Sequence, residues 1–325
     1  MTRVAVIDVG TVTARLAIAD VEEGRVTRMM RQSTIVNLGQ DVDKTGVLRE
    51  DACERLLVCV DGYLERIRAA GVEAVCCTLT SASRDASNSG ELVAAFAARG
   101  LKAQVIPGQV EGSLTFLGVA QDFGNTPLLV ADNGGGSTEF ALGSLGEGNK
   151  LRLSFVRSID VGCRRLTDKF LSRTDPPSEQ DLSQAHAFAA QLFADVRMWE
   201  GGNMPAPKRL VVTGGTSTTI VALTKSLVPY DSSQVHLSII RMAEVERQER
   251  RLAALPVAKR SELPGIQPKR APVMLGGVVA VTEILRATGF EEATVSESDL
   301  LFGLSLTVAA TVDGLPSPVG WRPEL

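Results

Sequence analysis

The sequence predicts an α/β fold of two related domains, and three observations carry that expectation. First, "VAVIDVGTVTARLAIA" (4–19) and "LLVADNGGGSTEFALG" (128–143) superimpose without a gap, placing Asp8 on Asp132, Gly10 on Gly134, Thr13 on Ser137 and Arg15 on Glu139. The shift of 124 residues is a domain-sized period rather than a solenoid-sized one. Second, strand-like runs alternate with segments of helical spacing in both halves, the pattern of layered α/β architecture. Third, 325 residues with 44% hydrophobic and 22% charged content suffice for two ordinary globular domains. Chance similarity of two glycine-containing hairpins is the competing explanation of the echo.

Each copy of the echo reads strand, Asp-x-Gly turn, strand, a hairpin with its polar groups at the tip. Between the copies, "EDACERLLVCVDGYLERIRAAG" (50–71) carries apolar residues at 53, 56, 57, 60, 64 and 67, a helix closed by Gly71. "VEAVCCTLTS" follows as a strand, "SGELVAAFAARG" as a helix and "KAQVIPG" as a strand. In the second half, Pro176 and Pro177 preset the entry to a helix from Ser178 through "QDLSQAHAFAAQLFADVRMW". "KRLVVTGGTSTTIVALT" is strand, Gly-Gly turn and helix start, and "TVDGLPSPVGWRPEL" an irregular tail with three prolines. The boundary falls in the polar connector near 121–126. Domain I is expected over 1–124 and domain II over 125–304, with the segment from about 305 to 325 able to pack back on domain I.

A formal charge of −4 argues against a dedicated nucleic-acid binder. No stretch reads as the run of about 20 apolar residues that spans a bilayer, and the N-terminus enters a strand pattern directly. Five cysteines without C-x-x-C spacing and two histidines make a zinc site a poor expectation. Buried thiols in a reducing compartment fit better, so a cytoplasmic protein is expected.

The chemistry concentrates at the hairpin tips. Glycines at 134–136 let backbone amides approach a bulky anion, with donors from Ser137 and Thr138; Gly10, Thr11 and Thr13 repeat the offer in the first copy. Asp8, Asp132 and Glu139 supply the hard oxygen ligands that suit Mg²⁺ bridging to phosphate. Neither G-x-x-x-x-G-K-[ST] nor G-x-G-x-x-G is present. "TLTSASRDASN" (78–88) puts Ser81 and Arg84 where a strand yields to a helix, a natural anion site, although Arg84 reads equally well as a surface helix residue. In "IPGQVEGSLTF" (106–116), Glu111 stands at a helix start, and on that evidence alone it is a dipole-favoured structural acid.

Taken together, "DVGTVTARL", "TSASRDASN", "IPGQVEGSL", "VADNGGGSTEF", "SIDVGCRRL", "VVTGGTSTTIVAL", "LPGIQPKRAPVMLGG" and "VSESDLLFGL" resemble the exopolyphosphatase / guanosine pentaphosphate phosphohydrolase family of the sugar kinase–Hsp70–actin superfamily. The resemblance covers roughly 1–305 and implies two actin-like (RNase H-like) α/β domains flanking an interdomain cleft, in the short two-domain form. It implies Mg²⁺ or another divalent cation, Glu111 as the catalytic glutamate activating water, and Asp8 and Asp132 as acids beside the phosphate loops. Glu139 matches a carboxylate associated with metal and catalysis. Arg15, Arg84, Gly134, Gly135 and Ser137 match phosphate-contacting positions.

The implied activity is release of terminal orthophosphate from inorganic polyphosphate. The alternatives are pppGpp 5′-phosphohydrolysis on the same site, a weakly active polyphosphate or alarmone sensor, and an ATP-dependent small-molecule kinase, for which "VVTGGTST" is a partial nucleotide loop. Two-domain relatives often dimerise, so a homodimer is an expectation to test. Neither nucleic acid nor membrane is an expected partner. The chain departs from the family pattern at Val12, Asn37, Asp299, Leu301 and Phe302, which bears on chain-length preference, nucleotide handling and rate. The basic stretch "KRSELPGIQPKR" (259–270) reads either as a hold for distal phosphates or as a solvated loop.

Overall fold

The computed structural model describes residues 1–146, 150–202 and 204–325. Along the chain run β1 (Thr2–Val9), β2 (Thr13–Glu22), β3 (Arg25–Ile35), α1 (Glu50–Ala70), β4 (Ala74–Leu79), α2 (Ser89–Ala97), β5 (Ala103–Val105), α3 (Gly108–Ala120), β6 (Leu128–Asn133), β7 (Thr138–Leu145) and β8 (Leu151–Ile159). They are followed by α4 (Glu179–Phe193), β9 (Arg209–Thr213), α5 (Gly215–Lys225), β10 (Ile239–Arg241), α6 (Met242–Ala253), α7 (Ala271–Thr288), β11 (Glu292–Val295) and α8 (Leu300–Val312). Short helical turns lie between them. The chain divides into two compact units. Unit 1 holds Met1–Asn125, Ser144–Leu153 and Ser298–Leu325; unit 2 holds Thr126–Gly143 and Ser154–Glu297. The C-terminal part of unit 1 thus begins at Ser298, earlier than the sequence suggested, because the whole of α8 belongs to it.

Unit 1 is a five-stranded sheet in the order β3-β2-β1-β4-β5. β1, β2 and β3 form an antiparallel meander, and β4 and β5 continue it in parallel. The central strand β1 is buried at Val4, Ala5, Val6 and Ile7, the near-continuous apolar run required of a strand covered on both faces. α1 buries Ala52, Leu56, Val60, Tyr63, Leu64 and Ile67, a stripe at helical spacing, and ends at Gly71 with φ of 62°. Tyr63 satisfies its hydroxyl by donating to the Ala14 carbonyl at 2.9 Å. α3 and α8 pack backbone to backbone. A Cβ added at Gly118 would lie 2.2 Å from the Asp299 carbonyl, and one at Gly303 would lie 1.8 Å from that of Leu114. Only glycine permits this approach, which sets the C-terminal half of α3 against the first turn of α8.

Unit 2 has six strands in the order β10-β11-β9-β6-β7-β8. Read from β8, the order β8-β7-β6-β9-β11 repeats that of unit 1, with β10 added at the edge. β6 and β7 pair antiparallel, while β6, β9 and β11 run parallel, again as in unit 1. The two echoed segments therefore occupy equivalent hairpins in two copies of one topology. α4 starts as expected, with the Ser178 hydroxyl accepting from the Asp181 amide at 3.1 Å. It stops at Phe193, earlier than the sequence indicates, as Val196 turns into the core and the chain resumes as a short 3₁₀ turn, Met198–Gly201. One expectation is corrected: Pro268–Thr288 is long and apolar enough to cross a membrane by length and composition. Within unit 2 most of it is buried, the situation of a core helix.

Candidate functional site

The β1–β2 and β6–β7 hairpins share their register and their turn hydrogen bond. The Gly10 amide donates to the Thr13 carbonyl at 3.0 Å, and the Gly134 amide donates to that of Ser137 at the same distance. Asp8 lies across from Arg15, and Asp132 across from Glu139. Both tips are buttressed from behind. The Gly39 amide donates to the Thr11 carbonyl at 2.8 Å and the Asn37 amide to that of Val12 at 2.9 Å. In unit 2, the Gly134 carbonyl accepts from the Cys163 amide at 3.0 Å and that of Gly135 from the Arg164 amide at 2.8 Å, while Arg165 Nε donates to the Gly136 carbonyl at 2.7 Å. Drawing the carbonyls back aims the loop amides the other way, which is the construction of an anion nest.

In unit 1 the expected residues come together around the first tip. Asp8 is 2% exposed and accepts from Arg15 Nε at 3.0 Å and Nη2 at 2.7 Å. Burial pushes the Asp8 carboxyl up from the usual range, and the Arg15 guanidinium opposes that shift. Arg15 Nη1 also donates to Asp299 Oδ2 at 2.5 Å, while Asp299 Oδ1 caps α8 by accepting from the Leu301 amide at 2.9 Å. Thr11 and Ser83 bury hydroxyls that have no hydrogen-bond partner, two polar groups available to a ligand. Ala82, beside buried Ser81, faces Gly39 and Thr11, so the turn after β4 abuts the tip. Arg84 Nη1 donates to Glu111 Oε2 at 2.6 Å and to the Ile106 carbonyl at 3.0 Å. The pair is largely shielded, with 21% and 11% of the two side chains exposed. Glu111 is therefore an oriented acid in the first turn of α3, more than a helix-start charge.

In unit 2 the second tip carries Asp132 and Glu139 on one face of the hairpin, 8% and 2% exposed. Glu139 Oε1 accepts from the hydroxyls of Ser137 and Ser158, each at 2.7 Å. The Thr138 hydroxyl, expected among the phosphate donors, has partners within the unit. Strand alternation turns it to the other face, where it donates to the Val161 carbonyl at 2.5 Å and accepts from Asn133 Nδ2 at 2.9 Å. Gly214 opens α5 with φ of 95°, and a Cβ there would lie 2.6 Å from the Asn133 carbonyl and 3.1 Å from Asp132 Oδ1. The N-terminus of α5 is thus brought against Asp132. Arg270 lies over Gly215, where a Cβ would sit 1.7 Å from its Nη1.

Ser158, Arg165, Gly214 and Arg270 were not singled out as site residues, although each lies in a stretch that resembles the family. The basic stretch 259–270 does not act as one unit: Arg260 is buried with its Nε on the Leu252 carbonyl, while Lys259 pairs with Glu262 in solvent.

A model of the Ppx/GppA phosphatase family matches residues 17–307. The chain belongs to the Ppx/GppA phosphatase family. The matched segment includes Ser81, Arg84, Glu111 and the second tip, and begins just after the first. Exopolyphosphatase 2 of Mycobacterium tuberculosis is 35% identical over 329 residues, covering 95% of this chain and 99% of its own. The crystal structure of an exopolyphosphatase-like protein is 29% identical with a TM-score of 0.85, covering 96% and 100% of the two chains. An Aquifex aeolicus Ppx/GppA family member is 29% identical with a TM-score of 0.77, covering 95% and 98%. As a Ppx/GppA protein the chain is a phosphatase with actin-like α/β domains, and the repeated sheet order described above is how that fold is realised here.

Proposed function

We propose that this protein removes the terminal orthophosphate from inorganic polyphosphate, with the hairpin tip of unit 1 holding the phosphate chain. The observation that carries the reading is Glu111, held by Arg84 in the same unit as a buttressed anion loop. Relatives named as exopolyphosphatases across nearly the full chain support the choice of substrate.

In the proposed step, water attacks the terminal phosphorus in line. The O–P bond to the attacking oxygen forms as the bond to the bridging oxygen breaks, and the shortened chain leaves as an anion. Glu111 takes the proton of the water, a role worth about 10²–10⁴-fold. Arg84 fixes the direction of that carboxylate. Loop amides around Gly10–Thr13 hold the non-bridging oxygens, where stabilisation matters most in phosphoryl transfer.

The second tip suits a hard divalent cation such as Mg²⁺: Asp132 and Glu139 are adjacent oxygen donors, and two serine hydroxyls preset Glu139. Among the described residues no three His, Cys, Asp or Glu side chains gather as a metal cage, so phosphate and water would complete the shell. That is the usual habit of Mg²⁺. When bound, the cation neutralises charge on the phosphate oxygens. Asp8, also expected as a metal ligand, has Arg15 as its partner, so its first task is to orient that guanidinium.

The test is orthophosphate release from polyphosphate across a Mg²⁺ titration. Asp132→Asn is expected to raise the Mg²⁺ concentration at half-maximal rate at least tenfold. An unchanged requirement removes Asp132 from the cation site.

A further inference from the structure

We propose that Asp299 is a specificity-determining residue of the first hairpin tip: by sharing Arg15 with Asp8, it keeps the hold on a single phosphate weak, so that product orthophosphate leaves. The inference rests on the polyphosphate reading above.

The resemblance places Arg15 among the positions that contact phosphate, yet in unit 1 its guanidinium is bracketed by acids. Nε and Nη2 donate to Asp8 Oδ2 at 3.0 and 2.7 Å, and Nη1 donates to Asp299 Oδ2 at 2.5 Å. Two carboxylates therefore draw on one cation, and all three side chains are mostly shielded from solvent. In such surroundings a unit charge is felt several times more strongly than in water. Burial leads the upward push on the Asp8 carboxyl, Arg15 opposes it, and the charge of Asp299 adds to it. The field of Asp299 thus reaches the tip.

Asp299 is also fixed in place. Its Oδ1 accepts from the Leu301 amide at 2.9 Å, and its carbonyl accepts from the Phe302 and Gly303 amides at 3.1 and 3.3 Å. The same carbonyl lies against Gly118, where a Cβ would come within 2.2 Å. Asp8 and Arg15 form the second cross-strand pair below the turn that Gly10 and Thr13 close. An anion held by the amides of that turn therefore meets two set carboxylates beside one cation. A lone orthophosphate has only this local balance to hold it. A chain adds the contacts of its further phosphates, so the same charge removes a smaller share of its affinity.

The experiment compares wild type with Asp299→Asn and Asp299→Ser, each alone and combined with Arg15→Gln. Asn and Ser both keep an oxygen that caps α8; Asn drops the charge, and Ser withdraws the side chain from Arg15. For each protein the Kd of inorganic orthophosphate is measured by titration calorimetry, alongside kcat and KM on long-chain polyphosphate and Tm. Both single variants are expected to bind orthophosphate roughly three- to tenfold more tightly, the effect of removing one repulsive charge nearby. KM for the long chain is expected to change less, and the gain to vanish in the Arg15→Gln background. Damage to the fold does not tighten binding, so a gain at unchanged Tm is specific to the charge. Unchanged affinity with a fall in Tm overturns the proposal and assigns Asp299 to capping alone. Weakened affinity also overturns it, since Asp299 would then be orienting Arg15 toward phosphate. Orthophosphate is not consumed, so its Kd separates the two claims. If wild type releases no orthophosphate from polyphosphate, the hydrolytic reading fails while the Kd comparison still decides the role of Asp299. If it hydrolyses the chain and the Kd does not move, the Asp299 claim fails alone.

Discussion

Glu111→Gln is expected to lower kcat on polyphosphate by about 10²–10⁴-fold while leaving the Kd for the chain within a few-fold of wild type. The amide keeps the size of the carboxylate and can still accept from Arg84, so the first turn of α3 remains in place. What disappears is the basic oxygen that takes the proton from water. The control is Tm, because a fold-wide effect would lower stability together with rate. Rapid hydrolysis by this variant would return Glu111 to the helix-start role that its position alone suggests.

The second large effect is on stability and lies away from the hairpin tips. In unit 2, His186 on α4 bridges two buried acids: Nδ1 sits 2.7 Å from Glu283 Oε1 on α7, and Nε2 sits 2.8 Å from Glu249 Oε1 on α6. Thr282 donates to Glu249 Oε2 at 2.6 Å, and Arg286 donates to Glu283 Oε1 at 2.7 Å and Glu246 Oε1 at 3.1 Å. Burial disfavours the imidazolium, but the hydrogen bonds to Glu249 and Glu283 outweigh it and raise the pKa to about 9. Burial likewise works against the charge of Glu249, and its bond from His186 leads the contacts that hold the carboxyl below its usual value.

The charged histidine thus ties three helices together. His186→Leu is expected to cost about 3 kcal/mol, since two buried carboxylates lose the cation between them. In a domain of this size that lowers Tm by about 6–12 °C. The pH dependence follows from the raised pKa. The stabilisation is fully present below about pH 6.5, where the unfolded histidine is also charged, and is lost as pH rises through about 9. The Glu249 contribution has the opposite sense, being lost as pH falls below the ordinary carboxylate range. Urea unfolding of wild type and variant from pH 6 to 10 should show the stability gap closing above pH 9. A constant gap would mean that His186 acts through packing rather than charge.

What was legible in the sequence was what is local. The gapless echo of 4–19 in 128–143 marked two hairpins whose registers and turn hydrogen bonds are in fact equivalent. The apolar spacing of 50–71 marked α1 and its glycine stop. Glu111 lay beyond local reading: its helix-start position was visible, but its orientation comes from Arg84, 27 residues away. The Arg15–Asp299 pair joins residues 284 apart, and the His186 bridge draws on three helices. Such pairs leave no periodic trace. Thr138 shows a further limit, since residue type does not tell which face strand alternation gives its hydroxyl.

The most direct measurement of the central claim is a chain-length-resolved product analysis of polyphosphate of defined length, incubated with the protein and Mg²⁺. The account predicts orthophosphate as the first product, together with chains one phosphate shorter. Internal fragments, or chains that keep their full length, would contradict it.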